Sequence, residues 1–144
     1  MAATFSRIVV AFDNSELSKK AVDVAKELIS TNPEAELHII SVLETYASSY
    51  VEAHYGDILM KAREQTRAEL QKLLDEQLSG VTNKAKSVLL EGNPAKKITE
   101  YAQEVNADLI VMGSRGLGSI QGIVLGSVSS KVMQLSGCPV LVIK

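Results

Sequence analysis

Five short, mainly apolar runs, at residues 8–12, 37–43, 87–90, 109–112 and 140–143, alternate with four segments in which apolar residues recur at helical spacing. Apolar runs without strict alternation suit strands covered on both faces, as in the parallel sheet of an α/β protein. Ser15 stands as N-cap to the first helical segment, whose apolar face reads as Ala21, Val24, Ala25 and Leu28 before Thr31-Asn32-Pro33 ends it. The second segment covers residues 57–78, carries Leu70, Leu73, Leu74 and Leu78 inward, and stops at Ser79-Gly80. Asn93 caps the third, Pro94 takes its first helical position, and Ile98, Tyr101, Ala102 and Val105 face the sheet. The fourth begins near Gly126-Ser127, uses Val128, Val132 and Leu135, and finishes at Gly137. This β-α-β-α-β-α-β-α-β pattern predicts an α/β three-layer sandwich with a five-stranded parallel sheet and four helices. A chain of 144 residues, 46% of them hydrophobic, has the size of one domain spanning residues 1–144. Residues 44–56, rich in Tyr, Ser and Ala, read as the one long connection, either a flap beside a site or a simple crossing.

Two strand orders are common for such a chain, 3-2-1-4-5 and 2-1-3-4-5, and each places its crevice at the carboxyl ends of the strands where the order reverses. In the first, the loops holding Asp13 and Gly113 face each other. In the second, Asp13 faces Glu91-Gly92. The glycine concentration directly after the fourth apolar run favours the first order.

That concentration is the chain's most unusual chemistry. Residues 113–127 hold five glycines in fifteen positions, and each would cost about 1 kcal/mol relative to Ala inside a packed helix. Glycine lets backbone amides turn inward and approach an anion closely, while a helix beginning near Ser127 offers unpaired N–H groups and its dipole. Gly113, at the strand end, leaves room for a ligand to approach. The Ser127 hydroxyl suits either a cap to its own helix or a donor to phosphate. Other glycine loops fit poorly, because the chain has no G-x-x-x-x-G-K-[ST], no G-x-G-x-x-G after the first strand, no G-x-S-x-G and no H-E-x-x-H.

The spacing Gly113-x-x-Gly116, nine residues, then Gly126-Ser127 resembles the G-2x-G-9x-G-[ST] signature of ATP-binding universal stress proteins. The resemblance extends over nearly the whole chain, including residues 8–15, the turn Glu91-Gly92-Asn93-Pro94, the block 107–116 and the closing run 138–143. It implies a Rossmann-like fold of the adenine nucleotide alpha hydrolase type, with strand order 3-2-1-4-5. By position it places Asp13 beside a ribose, Ala11 in the pocket wall, Val42 against adenine, and Met112 and Gly113 beside the sugar. Gly116, Gly126, Ser127 and Val128 would hold phosphates through backbone N–H groups, and Phe12 and Ser129 complete the nucleotide-binding set. Arg115 fills a variable slot, as a neutraliser of phosphate charge or as a solvated surface arginine. Asn14 and Ala11 depart from the pattern, standing where glycine and proline are frequent.

The implied cofactor is ATP, or ADP or AMP, with Mg or Mn as an accompanying hard cation for the triphosphate. The implied activity is that of a nucleotide-responsive stress or signalling module. Slow ATP hydrolysis is one alternative, and a dimeric interaction protein with incidental nucleotide is the other; no catalytic constellation is readable for efficient turnover. The resemblance also implies a homodimer through the last strand, residues 140–143, which would be a sheet edge without a charge until Lys144.

The remaining features exclude more than they suggest. A net charge of −2 gives no general pull toward nucleic acid or anionic membrane. The early run at 8–12 is too short for a signal-peptide core or a membrane span, which predicts a cytoplasmic protein. One cysteine, Cys138, and two histidines, His38 and His54, leave no basis for a disulfide or a transition-metal site. Glu44 and Glu91 read as solvated loop carboxylates, Asp108 as a turn residue entering the fourth strand, His38 and His54 as structural or solvated, and Cys138 as a small buried residue.

Overall fold

The computed structural model describes residues 5–44, 49–116 and 125–144, with the side chains of 49–52 left aside. The chain runs β1 (Arg7–Ala11), α1 (Glu16–Ile29), β2 (Glu36–Leu43), α2 (Ser49–Gln77), β3 (Ala85–Glu91), α3 (Pro94–Glu104), β4 (Leu109–Gly113), α4 (Ser127–Leu135) and β5 (Val140–Ile143). The strands form one sheet of order β3-β2-β1-β4-β5, the first of the two anticipated orders. All four pairings are parallel, with Val10 opposite both Ile39 and Val111 at the centre.

Strand alternation sorts the apolar side chains into two cores. Ile8, Val10, Phe12, Leu37, Ile39 and Val111 point to the side covered by α1 and α2, where Ala21, Val22, Ala25, Ile29 and Leu74 meet them. Val9, Ile40, Ile110 and Met112 point the other way, onto Ile98, Tyr101 and Ala102 of α3 and Val132 of α4. Three layers result, because a parallel sheet with two apolar faces needs helices on both.

Local signals place the helix starts. The Ser15 side chain accepts from Ser18 N at 3.2 Å and caps α1, and Asn93 does the same for α3 by accepting from Lys96 N at 3.1 Å. Asn14 has φ +66°, a left-handed conformation that Asn tolerates and Gly adopts freely, which accounts for the departure at this position. Asp108 accepts from Ser6 N at 2.7 Å and Arg7 N at 3.2 Å, tying the starts of β1 and β4 together.

Several expectations need correction. The buried stripe of α1 is Ser18, Ala21, Val22, Ala25 and Ile29; Leu28 is 36% exposed and Val24 half-buried, so the stripe is rotated by about one residue. Helix α2 begins at Ser49, eight residues before the expected start, with a kink at the non-helical Tyr55. The anticipated long connection is therefore partly helical, and residues 45–48 lie outside the described set. Of its four inward leucines only Leu74 is fully buried. The edge strands β3 and β5 are only partly covered. Leu135 on α4 is 50% exposed, and that helix ends there with Ser136 extended, not on a left-handed Gly137. Cys138 is half-buried.

His38 is buried at the amino end of the sheet. Its Nδ1 lies 2.7 Å from Tyr101 Oη and its Nε2 3.4 Å from Glu36 Oε2, which also accepts from Arg7 Nε at 3.1 Å. A neutral ring that accepts the Tyr101 O–H and donates Nε2–H to Glu36 satisfies all three groups. Burial pushes the His38 pKa below 6.5, against the opposing pull of the Glu36 hydrogen bond. The hydrogen bond from His38, followed by that from Lys84, holds the Glu36 carboxyl below 4.5. Both shifts mean that the native state binds fewer protons than the unfolded chain, so stability is full above 6.5 and falls as pH drops through that value and then through 4.5. The urea midpoint is expected to be lower at about pH 5.5 than at about pH 7.5. His38→Gln should shrink that difference; an unchanged difference would assign the pH dependence to other groups.

Candidate functional site

The reversal of strand order falls between β1 and β4, so the carboxyl ends of these two strands open a crevice. Phe12 prolongs β1 by donating its N–H to Ile40 O at 2.8 Å, and its carbonyl accepts the Ser41 hydroxyl. Asp13 follows on the surface: its N–H donates to Ser18 Oγ at 3.3 Å and its Oδ1 accepts from Ser15 N at 3.0 Å. The turn into α1 thus holds the Asp13 backbone and one carboxylate oxygen.

On the β4 side, Ser114 is buried and anchors both ends of the glycine-rich segment. Its N–H donates to Ile143 O at 2.7 Å, and its carbonyl accepts from Gly126 N at 2.6 Å and Ser129 Oγ at 2.7 Å. The chain therefore leaves β4 at Ser114 and returns to the same residue at Gly126, which sets the amino end of α4 beside the ends of β1 and β4. Gly126 is the N-cap of α4 with no side-chain cap, so the amides of Ser127, Val128 and Ser129 form the first turn, where helix geometry supplies no acceptor. Residues 117–124, the middle of the glycine-rich segment, lie outside the described set.

A cavity of about 670 Å³ occupies this crevice, within the range of about 300–1,000 Å³ usual for small-molecule sites. Ala11, Phe12, Asp13, Val42, Met112, Gly113, Arg115, Gly116, Gly126, Ser127, Val128 and Ser129, the whole candidate set, lie on its wall. The structure thus brings together residues from four separate stretches of chain. It also adds Ile40, Leu43, Glu44, Pro94 and Ile98. Ile40 and Ile98 read in the sequence as core residues, because an apolar pocket wall and a core position carry the same pattern; Pro94 reads as a helix start.

Two details differ from the sequence reading. Ser127 is the first helical residue and stands exposed, so its hydroxyl is not the helix cap. The close approach that requires glycine at 113 is made by α1: a Cβ there would stand 2.8 Å from Leu17 Cβ and 3.2 Å from the Leu17 carbonyl carbon. At Gly116 the constraint lies inside the crevice, where a Cβ would stand 2.4 Å from Asp13 Oδ2. Glu91, by contrast, is ion-paired with Arg67, and His38 sits at the opposite end of the sheet. Among the described residues no group of three or more His, Cys, Asp or Glu side chains is placed to hold a metal ion. Nor, among them, is any helix long and apolar enough to cross a membrane.

The sequence pattern of the universal stress protein family matches residues 4–144. The universal stress protein YxiE of Bacillus subtilis is 36% identical, the alignment covering 97% of this chain and 99% of that protein. The solved structure of MJ0577, a universal stress protein of Methanocaldococcus jannaschii, superposes with a TM-score of 0.81 at 27% identity, covering 99% of this chain and 97% of that one. A universal stress protein solved in complex with cAMP superposes with a TM-score of 0.63 at 30% identity, covering 99% and 98%. By its sequence pattern, its full-length similarity to these relatives and its strand order, the chain belongs to the universal stress protein family.

Proposed function

We propose that this protein binds an adenine nucleotide, ATP in the first instance, in the crevice between β1 and β4, and acts as a nucleotide-responsive stress or signalling module. One observation carries the reading: Ser114 holds the amino end of α4 through Gly126 N and Ser129 Oγ, so that its first-turn amides stand on the wall of the same cavity as Asp13 and an apolar pocket from β2 and α3. These elements match the three parts of a nucleotide. Ile40, Val42, Pro94 and Ile98 offer apolar surface to the base, Asp13 offers a carboxylate to ribose hydroxyls, and the amides of Ser127, Val128 and Ser129 offer N–H groups and the helix dipole to phosphate, the Gly126 amide being already given to the Ser114 carbonyl. The complex of a family member with cAMP supports an adenine ligand. Asp13 and Glu44 are the carboxylates among the described wall residues, and Mg or Mn would enter with the phosphate chain.

Ser127→Pro tests the phosphate assignment with little cost to the fold. Proline is well tolerated at the first position of a helix, and Gly126 before it is already extended, with φ −80° and ψ 169°. The substitution removes one amide donor and one hydroxyl. Calorimetric titration should show ATP affinity reduced about tenfold with the thermal midpoint nearly unchanged. Undiminished affinity would place the phosphates elsewhere.

A second property has its own observation. Among the described residues β5 is the edge strand beyond β4, its one pairing partner, and leaves Leu141 37% exposed. An edge of four apolar residues invites pairing with another such edge. We propose a homodimer across Val140–Ile143, for which light scattering should return twice the chain mass.

A further inference from the structure

The cavity's capacity to hold negative charge rests on one side chain. Among the described residues Arg115 is the only cation on its wall, whereas Asp13 and Glu44 contribute carboxylates. The rest of the glycine-rich segment cannot alter this balance, since residues 113–127 contain no other Lys, Arg, Asp or Glu. Arg115 is half-buried, and its guanidinium makes no ion pair or hydrogen bond among the described residues. Arg7 and Arg67, in contrast, are committed to Glu36 and Glu91.

The amides of α4 supply only a fixed partial charge, about half an elementary charge, whose influence fades within the first turn. Each further phosphate brings additional negative charge into a space that already holds two carboxylates. The one full positive charge that the described wall residues offer against it is the Arg115 guanidinium, which stays protonated at any working pH and fits phosphate oxygens with a two-pronged fork. Building on the nucleotide reading above, we infer that Arg115 is the specificity-determining residue that sets how strongly this site favours long phosphate chains over AMP and adenosine. The base and ribose contacts are shared by all these ligands and give no discrimination. The increment from AMP to ADP to ATP belongs to Arg115.

The full chain, with Arg115→Gln and Arg115→Lys, is titrated calorimetrically with adenosine, AMP, ADP and ATP at low ionic strength with divalent cations chelated. Affinity in the unaltered protein should rise along that series. Arg115→Gln should leave adenosine affinity unchanged and weaken ATP about tenfold or more, flattening the series. Arg115→Lys should recover part of the rise, because it keeps the charge and loses the fork. An equal loss for all four ligands, or ATP affinity unchanged in Arg115→Gln, overturns the inference while leaving nucleotide binding intact. If the unaltered protein binds none of the four, the nucleotide reading itself fails and the inference falls with it.

Discussion

Ile29→Ala is expected to lower the free energy of unfolding by about 2–5 kcal/mol, while Leu28→Ala, one position earlier, should change it by less than about 1 kcal/mol. Ile29 is 2% exposed and belongs to the core that α1 shares with β1 and β2; Leu28 is 36% exposed. Truncating Ile29 removes apolar contacts and leaves a cavity beneath the last turn of α1, which cannot collapse because Leu37, Ile39 and Leu74 are already close-packed in the same core. Truncating Leu28 leaves space that water fills. Urea unfolding of both variants gives the comparison directly. Equal losses would mean that the helix is rotated back to the stripe expected from its sequence.

Gly113→Ala and Gly116→Ala should separate stability from binding. At 113 the new methyl meets Leu17 Cβ at 2.8 Å, the Leu17 carbonyl carbon at 3.2 Å and the Arg115 carbonyl oxygen at 3.2 Å. Two of these atoms are backbone and none can rotate aside, so α1 or the end of β4 must shift. The expected cost is about 1–3 kcal/mol of stability. Among the described residues the methyl at 116 meets the Asp13 carboxylate, at 2.4 Å to Oδ2. Turning that side chain aside strains its hydrogen bond from Ser15 N, at a cost of about 1 kcal/mol, and takes it from the position proposed for contact with the ribose. ATP affinity should fall about tenfold with a smaller loss of stability than in Gly113→Ala. The paired measurement is a urea midpoint and a calorimetric titration for each variant. A Gly116→Ala protein that binds ATP normally would remove Asp13 from the proposed site. A Gly113→Ala protein as stable as the parent would show that α1 approaches β4 less closely than described.

Much of the fold is legible along the chain because its signals are local. Ser15 and Asn93 cap the helices they precede, and Pro94 opens α3, since these effects reach only three or four residues. The apolar runs mark all five strands to within two residues at either end, because burial on both faces leaves few polar positions. Exposure is harder to read. Leu28, Ile58, Met60 and Leu135 are apolar yet exposed, and nothing in their immediate sequence distinguishes them from Ile29 or Val132. The first turns of α2 escape notice because Tyr55 and Gly56 interrupt the helical period near the kink.

The candidate site divides in the same way. Its glycines stand out because five in fifteen residues is costly without a reason, and their spacing carries the family resemblance. Ser114 does not stand out. Its part is played through its backbone and through a hydroxyl fifteen residues away in Ser129, a contact no local pattern encodes. Ile40, Pro94 and Ile98 join the cavity only because β2 pairs with β1 and α3 packs on the β2 side of the sheet.

The order of elements, the starts of α1, α3 and α4 and the glycine-rich segment after β4 are thus legible along the chain, because they depend on steric and hydrogen-bonding preferences within a few residues. Only three-dimensional packing shows which face of α1 is buried, that Gly113 is required by the approach of Leu17, and that Arg115 is, among the described residues, the one cation on a wall shared with Asp13 and Glu44. The reason is physical: burial, close approach and charge balance are properties of residues far apart in the chain, and they acquire values only when the sheet brings those residues into contact.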